Sequence, residues 1–325
     1  MKISVALCTY NGEAYLQEQL ESYAVQTRLP DEVIVCDDCS KDSTWEILTA
    51  FAASAAFPVK LHLNEQNLGH IKNFEKAIGL CTGDIIVLSD QDDVWRADKL
   101  ELIETEFAKS EKIGMVYADA EVVDENLRSL NSTMWQGIGF DLEKQEIFNS
   151  GRAFDSLLKD GYIYGSSMAF RAKFRHLIVP IPSDIYFGHD AWIALMISAV
   201  ADIALINDTL IKYRQHQRQT SIGVRLNAEP EFKKLLKAGQ RTNKYDGLIN
   251  QLNILEKRLS ENSCLTDEAV SKIAAVRKHI YLRACLPKNF STRLLKVGQE
   301  FFGGRYHLYS NGFKSAAKDL LISKN

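Results

Sequence analysis

Three carboxylates stand within four positions at Asp90-Gln91-Asp92-Asp93, directly after the apolar run 85–88. Crowded carboxylates repel one another unless a cation sits among them. Hard divalent ions such as Mg2+ and Mn2+ take carboxylate and phosphate oxygens together. An acidic cluster at the end of a buried strand is therefore a natural anchor for a metal-bound diphosphate. A solvated acidic turn leading into the next helix would carry the same residues, and the apolar run before them argues against it.

Four further positions carry candidate chemistry. Asp37-Asp38 ends the β-branched run 32–36. A carboxylate there can accept hydrogen bonds from a base N–H or from ribose hydroxyls, or serve as a turn or helix cap. His216, in Tyr213-Arg214-Gln215-His216, follows a predicted strand and could complete a metal site or touch a phosphate; a lone histidine is more often structural. Lys72, at a helix start after Gly69, could reach a phosphate or simply be solvated. Asp190 follows Gly188-His189 and precedes an apolar helix. It is either a helix cap or a general base towards a hydroxyl.

The elements needed to position these groups are legible from hydrophobic spacing. Runs 3–8, 32–36, 59–63, 85–88 and 114–118 read as strands. Between them lie helical stripes such as Leu16, Leu20, Tyr23 and Ile71, Phe74, Ile78. Alternation of this kind predicts βαβ units, a mostly parallel sheet and helices on both faces. Ligands bind such sheets outside the carboxyl ends of the strands. Thr9-Tyr10-Asn11, Asp37-Asp38 and Asp90-Gln91-Asp92-Asp93 would all arrive at that one edge. Further along, 162–171 reads as a strand, and 203–206 and 209–213 as two strands joined by a turn at Asn207-Asp208. Residues 231–260 and 266–286 read as helices, the first with a Leu248, Leu252, Leu255, Leu259 stripe.

The chain has 325 residues, 46% hydrophobic and 25% charged, which excludes disordered and collagen-like classes. Its net charge of −3 does not suggest a nucleic-acid partner. The charge is unevenly spread. Residues 1–230 hold 21 basic and 34 acidic side chains, and residues 231–325 hold 18 and 8. The expected division is an α/β domain over 1–228 and a basic helical extension over 229–325. No leader or membrane span is visible. The most apolar stretch, 191–206, is broken by Asp202 and reads as a buried helix followed by a strand. Six cysteines show no disulfide spacing, and the single pair Cys36 and Cys39 lacks the further ligands zinc needs. Buried thiols and a cytoplasmic setting fit this pattern.

Taken together, the motifs resemble glycosyltransferase family 2, inverting enzymes built on a GT-A-type α/β domain. Residues 4–12 are similar to its first strand and base-binding loop. Asp37-Asp38-Cys39-Ser40-Lys41-Asp42-Ser43-Thr44 is similar to its D-D-G-S-x-D-x-T motif, and Asn67-Leu68-Gly69 with Lys72-Asn73 to its N-x-G segment. Leu88-Ser89-Asp90-Gln91-Asp92-Asp93-Val94-Trp95 resembles its metal-binding D-x-D region. His189-Asp190 stands where the family usually has Glu-Asp, and Tyr213-Arg214-Gln215-His216 matches a late motif whose His can join the metal. The S-D-Q-D-D-V-W form, the Y-R-Q-H segment and C-terminal features such as Phe302-Gly303-Gly304-Arg305-Tyr306 look most like rhamnosyltransferases of O-antigen or capsule assembly.

The resemblance implies roles. Thr9, Tyr10 and Asn11 would border the base, and Asp38 would bind base or ribose. Lys72, Asp90 and Gln91 would complete the donor site. Asp90, Asp92 and His216 would hold Mg2+ or Mn2+ on the diphosphate, and Asp190 would deprotonate an acceptor hydroxyl. The implied partners are a nucleotide-diphosphosugar, dTDP-rhamnose in the subgroup, and a glycan or lipid-linked oligosaccharide. The basic, aromatic-rich C-terminus suits an anionic membrane surface, a dimer contact or a solvated bundle. Two departures stand out. Cys39 replaces Gly in a turn where a positive φ would strain a side chain, and His189 replaces Glu. Two rival readings are a nucleotidyltransferase, whose first loop is usually Gly-rich and basic, and a non-catalytic nucleotide-sugar binder. The loop from Thr9 to Ala14 holds no Lys or Arg.

Overall fold

The computed structural model describes residues 1–159, 161, 163–186, 188–217 and 242–321. The chain starts as β1 (Ile3–Thr9), α1 (Leu16–Ala24), β2 (Glu32–Asp37), α2 (Thr44–Ser54), β3 (Val59–Leu63), α3 (His70–Leu80) and β4 (Ile85–Ser89). Strands β3, β2, β1 and β4 lie side by side, all parallel. Every residue of β1, β2 and β4 is buried. Both sheet faces are covered, and the strands therefore read as continuous apolar runs. Ile3, Val5, Leu7, Val33, Val35, Ile85 and Val87 share one face with Leu16, Leu20, Tyr23 and Leu48 from α1 and α2. Residues of opposite parity, Ala6, Ile34 and Ile86, point the other way, and α3 packs on β1 and β2 with Phe74, Ala77 and Ile78 buried.

The next elements are β5 (Val94–Trp95), α4 (Lys99–Ala108), β6 (Ile113–Val123), β7 (Ser129–Thr133), α5 (Met134–Ile138), α6 (Leu142–Asn149) and α7 (Ala153–Leu157). They are followed by β8 (Met168–Arg171), α8 (Arg175–Ile178), α9 (His189–Ser198) and β9 (Asp202–Arg214). The sheet continues β4-β8-β6-β9-β5, with β7 on β6. Strand β8 is antiparallel to both neighbours, β6 and β9 are parallel, and β5 and β7 are antiparallel to their partners. The expected parallel order thus holds for the first four strands, and the sheet is mixed beyond β4.

Three expected strands are corrected. Within 162–171 only Met168–Arg171 is a strand, because Gly165–Ser167 forms a 3-10 turn; Tyr162 lies outside the described residues. That turn points the Ser166 carbonyl at the buried Lys99 ammonium, 3.0 Å away. The two strands expected around Asn207-Asp208 are one strand, β9. Ile206 pairs with Ala118 and Thr209 with the very next residue, Asp119. Asn207 and Asp208 are exposed and loop out as a bulge. Their turn-like chemistry is real, but the chain does not reverse.

Helix α9 is buried through Ala191–Ile197. No helix among the described residues is long and apolar enough to cross a membrane. All six cysteines are free, and Cys8, Cys36 and Cys81 are buried as expected.

The chain forms two compact units. One comprises 1–154, 163–183 and 188–217; the other comprises 155–159, 161, 184–186 and 242–321. The expected boundary at 228/229, and the part of the 231–260 helix before 242, lie outside the described residues. The second unit contains α10 (Thr242–Glu261) and α11 (Asp267–Ala284), which pair with each other. Leu252, Leu255 and Leu259 of the expected stripe are buried. Helices α12 (Phe290–Phe302), α13 (Arg305–Tyr309) and α14 (Gly312–Leu321) gather around Val297, Tyr306 and Ala316.

Candidate active site

Adjacent parallel strands β2, β1 and β4 deliver Asp37-Asp38, Thr9-Tyr10-Asn11 and Asp90–Asp93 to one sheet edge, as the sequence pattern requires. The loops there are tied to each other. Gln91 accepts from the Tyr10 N–H at 2.8 Å and donates to the Tyr10 carbonyl at 3.0 Å. A Cβ on Gly12 would meet Gln91 Oε1 at 2.3 Å, so any larger residue there would displace the Gln91 amide from this clamp. The Thr9 hydroxyl donates to Asp37 at 2.7 Å. Asn11 accepts from the Lys41 amide at 2.8 Å.

Asp38 is buried and works locally. It accepts from the Leu68 and Gly69 amides at 2.7 and 2.9 Å and from Asn64 at 2.8 Å. It thereby sets the Asn67-Leu68-Gly69 loop that starts α3. Cys39 adopts φ +64°, the left-handed conformation that its motif normally assigns to glycine. Its thiol donates to the Asn64 carbonyl at 2.9 Å. Lys72 is committed to Glu75 at 2.8 Å and to the Ile181 carbonyl at 2.7 Å. Among the expected donor contacts, the side chains of Thr9, Asp38, Gln91 and Lys72 thus have intramolecular partners that shape the loops. The Tyr10 side chain is half-exposed.

Asp92 and His216 are brought together, with Oδ2 and Nε2 2.8 Å apart. The imidazole also lies 4.6 Å from the Tyr15 ring. Asp90 does not join them as a ready-made cage: among the described residues no three His, Cys, Asp or Glu side chains converge on one point. The donor set nevertheless suits a hard cation that takes its other ligands from phosphate, as Mg2+ does. Burial, then Asp92 and Asp190, pushes the Asp90 carboxyl up to about 7. Asp93 is fully buried, rises well above the usual range for the same reason of burial beside Asp92 and Asp90, and leaves Oδ2 unpartnered. Carboxylates crowded in this way gain from positive charge.

Two buried basic side chains, neither marked as functional by the sequence, stand near this cluster. Arg214 is buried. Its amide donates to Asp93 at 3.2 Å, its Nε to the Asp92 carbonyl at 2.8 Å, and its guanidinium also reaches Glu18 and the Glu125 carbonyl. Lys99 is fully buried, with Nζ 3.7 Å from the Trp95 ring centroid. Burial pulls its ammonium well below the ordinary lysine range, and Asp93 and Asp90 pull it back up. Arg214 belongs to the Tyr213-Arg214-Gln215-His216 segment, whose pattern assigns it no role. Lys99 reads as a solvated helix-start residue, and only its position four residues after Trp95 hints at a buried cation–π pair.

Asp190 sits in the first turn of α9, where Gly188 rather than Asp190 is the cap residue. Its Oδ1 accepts the Ala191 amide at 2.8 Å and would lie 2.7 Å from a Cβ on Gly188. Burial raises its carboxyl to about 6, against the lowering effect of amides from Ala191 and Gly165. Asp190 is an acidic neighbour of Asp90 and also acts on Tyr117 and Tyr164. A carboxylate of this kind is ionised at neutral pH and more basic than an exposed one, the combination a general base needs. His189 stacks on Phe74 with ring centroids 4.4 Å apart, and neither of its ring nitrogens has a hydrogen-bond partner among the described residues. Burial and the facing His70 lower its pKa to about 3, so it is neutral. It does not replace the charge of the family's Glu.

Comparison with known proteins bears on the family and the fold. Residues 4–177 match the family model described as Glycosyl transferase family 2. An uncharacterised glycosyltransferase from Nostoc sp. is 26% identical over 219 residues, 66% of this chain and 65% of its own length. The match therefore spans somewhat under two thirds of that relative. Abequosyltransferase RfbV from Salmonella typhimurium is 33% identical over 107 residues, 32% of each chain. Among solved structures, residues 1–349 of S. aureus TarS with UDP-GlcNAc superpose with a TM-score of 0.57 at 17% identity, covering 98% of this chain and 88% of that one. A Pyrobaculum calidifontis mannosyltransferase with GDP-Man and Mn2+ gives 0.51 at 17% identity, covering 98% and 85%. At this identity the two structures establish the GT-A-type fold. The family match ends before Asp190 and His216.

Proposed function

We propose that this chain, which belongs to glycosyl transferase family 2, is a divalent-metal-dependent inverting glycosyltransferase of bacterial surface-polysaccharide assembly. It moves a sugar from a nucleotide diphosphate to a hydroxyl of a growing, lipid-linked glycan at the cytoplasmic face of the membrane. Residues 1–228 form the catalytic domain and 229–325 a helical extension. The observation that carries the reading is that Asp190 and Leu88 of β4, two residues before the acidic cluster, stand against the same backbone at Gly165, where a Cβ would meet Asp190 at 3.7 Å and Leu88 at 3.9 Å.

Tyr10 and Asn11 border the base, in a loop held by Gln91 and Ser40. Asp38 holds the Leu68 and Gly69 amides in place along the nucleotide side. Asp90, Asp92 and His216 would hold Mg2+ or Mn2+, whose charge offsets the negative charge gathering on the leaving diphosphate. Arg214 and Lys99 keep the Asp90–Asp93 segment in position. Asp190 takes the proton of the acceptor hydroxyl. That oxygen attacks the anomeric carbon from the face opposite the diphosphate, the carbon–oxygen bond to phosphate breaks, and the nucleoside diphosphate leaves with the electron pair. The product is inverted at that carbon.

The donor we propose is dTDP-rhamnose, supported by the motif resemblance alone. RfbV names a different sugar, so the test is a panel. Purified protein is screened by thermal shift against nucleotide-linked rhamnose, glucose, N-acetylglucosamine, mannose and abequose, with and without Mn2+. The selected donor is then turned over and the product anomer read by NMR. Metal-dependent stabilisation by dTDP-rhamnose and an inverted product are expected. Stabilisation by another donor reassigns the sugar, and a retained anomer refutes single displacement. Pyrophosphate release would instead indicate a nucleotidyltransferase.

A further inference from the structure

Helices α12 and α14 meet the small core through Val297 and Ala316, yet they bury charged side chains and expose large apolar ones. Helix α12 buries Arg293, Val297 and Glu300 while exposing Phe290, Leu294, Leu295 and Phe302. Helix α14 buries Gly312, Ala316 and Asp319 while exposing Phe313 and Leu321. Glu300 and Asp319 are paired, and Arg293 lies over the Phe290 ring, 5.8 Å from its centroid. Glu300 meets His279 at 2.8 Å and Arg305 at 2.7 Å; Asp319 meets Arg283 at 2.6 Å and the Tyr306 hydroxyl at 2.8 Å. A helix normally turns its apolar stripe to the core. Here polar pairing holds the helices from within, and the apolar faces look outward.

The two faces join. Phe301 lies 5.8 Å from Phe302 and 6.3 Å from Phe313, ring centroid to ring centroid. Phe302 is 90% exposed and Phe313 71%. Exposed Lys288, Lys296 and Lys314 belong to the same segment. From residue 271 onward the chain carries 11 basic and 2 acidic side chains. Contiguous exposed apolar surface marks an interaction site.

We propose that the joined outer faces of α12 and α14 are a docking surface for an anionic lipid bilayer, with Phe302 and Phe313 inserted at the headgroup boundary and the lysines on lipid phosphates. Charge decides the occupant. A twofold dimer through this patch would set a strongly basic surface against its own copy, whereas anionic lipid brings opposite charge and an apolar boundary for the rings. This sharpens the membrane setting of the proposed function and is tested without donor or acceptor, so its failure leaves the transferase reading standing.

The experiment is co-sedimentation of the full chain with vesicles of phosphatidylcholine plus phosphatidylglycerol, against phosphatidylcholine alone, at two salt concentrations. Binding to the mixed vesicles that weakens with salt and with loss of the anionic lipid is expected. The double variant Phe302→Ser/Phe313→Ser should lose at least about tenfold in affinity with an unchanged thermal melt, because both rings are exposed. Each of Lys288→Gln, Lys296→Gln and Lys314→Gln should cost about fivefold. Equal binding by the wild type and the double variant, or no preference for anionic vesicles, overturns the proposal. So does a lipid-free wild-type dimer, seen by sedimentation velocity, that the same double substitution dissociates.

Discussion

Replacing Glu32 by Gln tests how the sheet holds its site loops in place. Glu32 begins β2 and is buried, and its carboxylate accepts from Ser4 of β1 at 2.6 Å, from the Thr82 amide and hydroxyl ahead of β4 at 2.6 and 2.8 Å, and from Lys60 of β3 at 2.8 Å. One side chain thus links all four parallel strands. Burial opposes its ionisation, but Lys60, Ser4 and Thr82 together hold its pKa at about 2 against an ordinary 4.5. Taken whole, that difference is roughly 3 kcal/mol. Lys60 is half exposed, so its share is screened by solvent, leaving about 2 kcal/mol. The native pKa is depressed, so this stability is fully present above the unfolded value of 4.5 and drains away as pH falls towards 2. Glu32→Gln should lower the stability at pH 7 by about 2 kcal/mol, a Tm drop of about 3–6 °C. It should also flatten the fall in stability between pH 5 and pH 3, while the wild type keeps it. Denaturant or thermal unfolding across that range reads both effects. An unchanged melt at pH 7, or identical pH slopes for the two proteins, would refute the reasoning.

Two further outcomes are expected. Cys39→Gly should stabilise the protein by up to about 1 kcal/mol, because relief of a left-handed side-chain conformation worth about 1–2 kcal/mol exceeds the added freedom of the unfolded chain and the lost thiol contact; a lower Tm would contradict this. Arg214→Met leaves the Asp92 and Glu125 carbonyls and Glu18 without the guanidinium, although the amide at 214 still holds Asp93, and should cost about 3 kcal/mol together with most of the metal-dependent donor affinity, read by calorimetry; unchanged donor affinity would remove Arg214 from its supporting role.

The parallel half of the fold and the strand ends that carry the site are legible because fully buried strands write continuous apolar runs, and polar residues follow each run where the sheet edge opens. The special turn at Cys39 was legible only through the motif, since nothing local marks a cysteine for positive φ. What the sequence hides is where a polar residue spends its hydrogen bonds. Asp38 and Gln91 look like ligand groups, yet they clamp neighbouring loops through backbone amides that no pattern reveals. Lys99 and Arg214 look like surface charges, yet each is buried against groups more than 60 residues away in sequence. Asn207-Asp208 carries turn chemistry, and only the register of β9 on β6 shows that it forms a bulge. The outward faces of α12 and α14 were likewise unreadable, because the spacing that marks an amphipathic helix does not say which side faces the core.

The central claim rests on Asp190 as the base, and the most direct test is single-turnover kinetics of Asp190→Asn with the donor identified by the panel. The account predicts donor and Mn2+ binding close to wild type and a loss of at least about 100-fold in the transfer step. The wild-type rate should fall as pH drops below about 6, where the raised carboxyl takes up its proton. Transfer by Asp190→Asn at a rate near wild type, with the same acid limb, would contradict it.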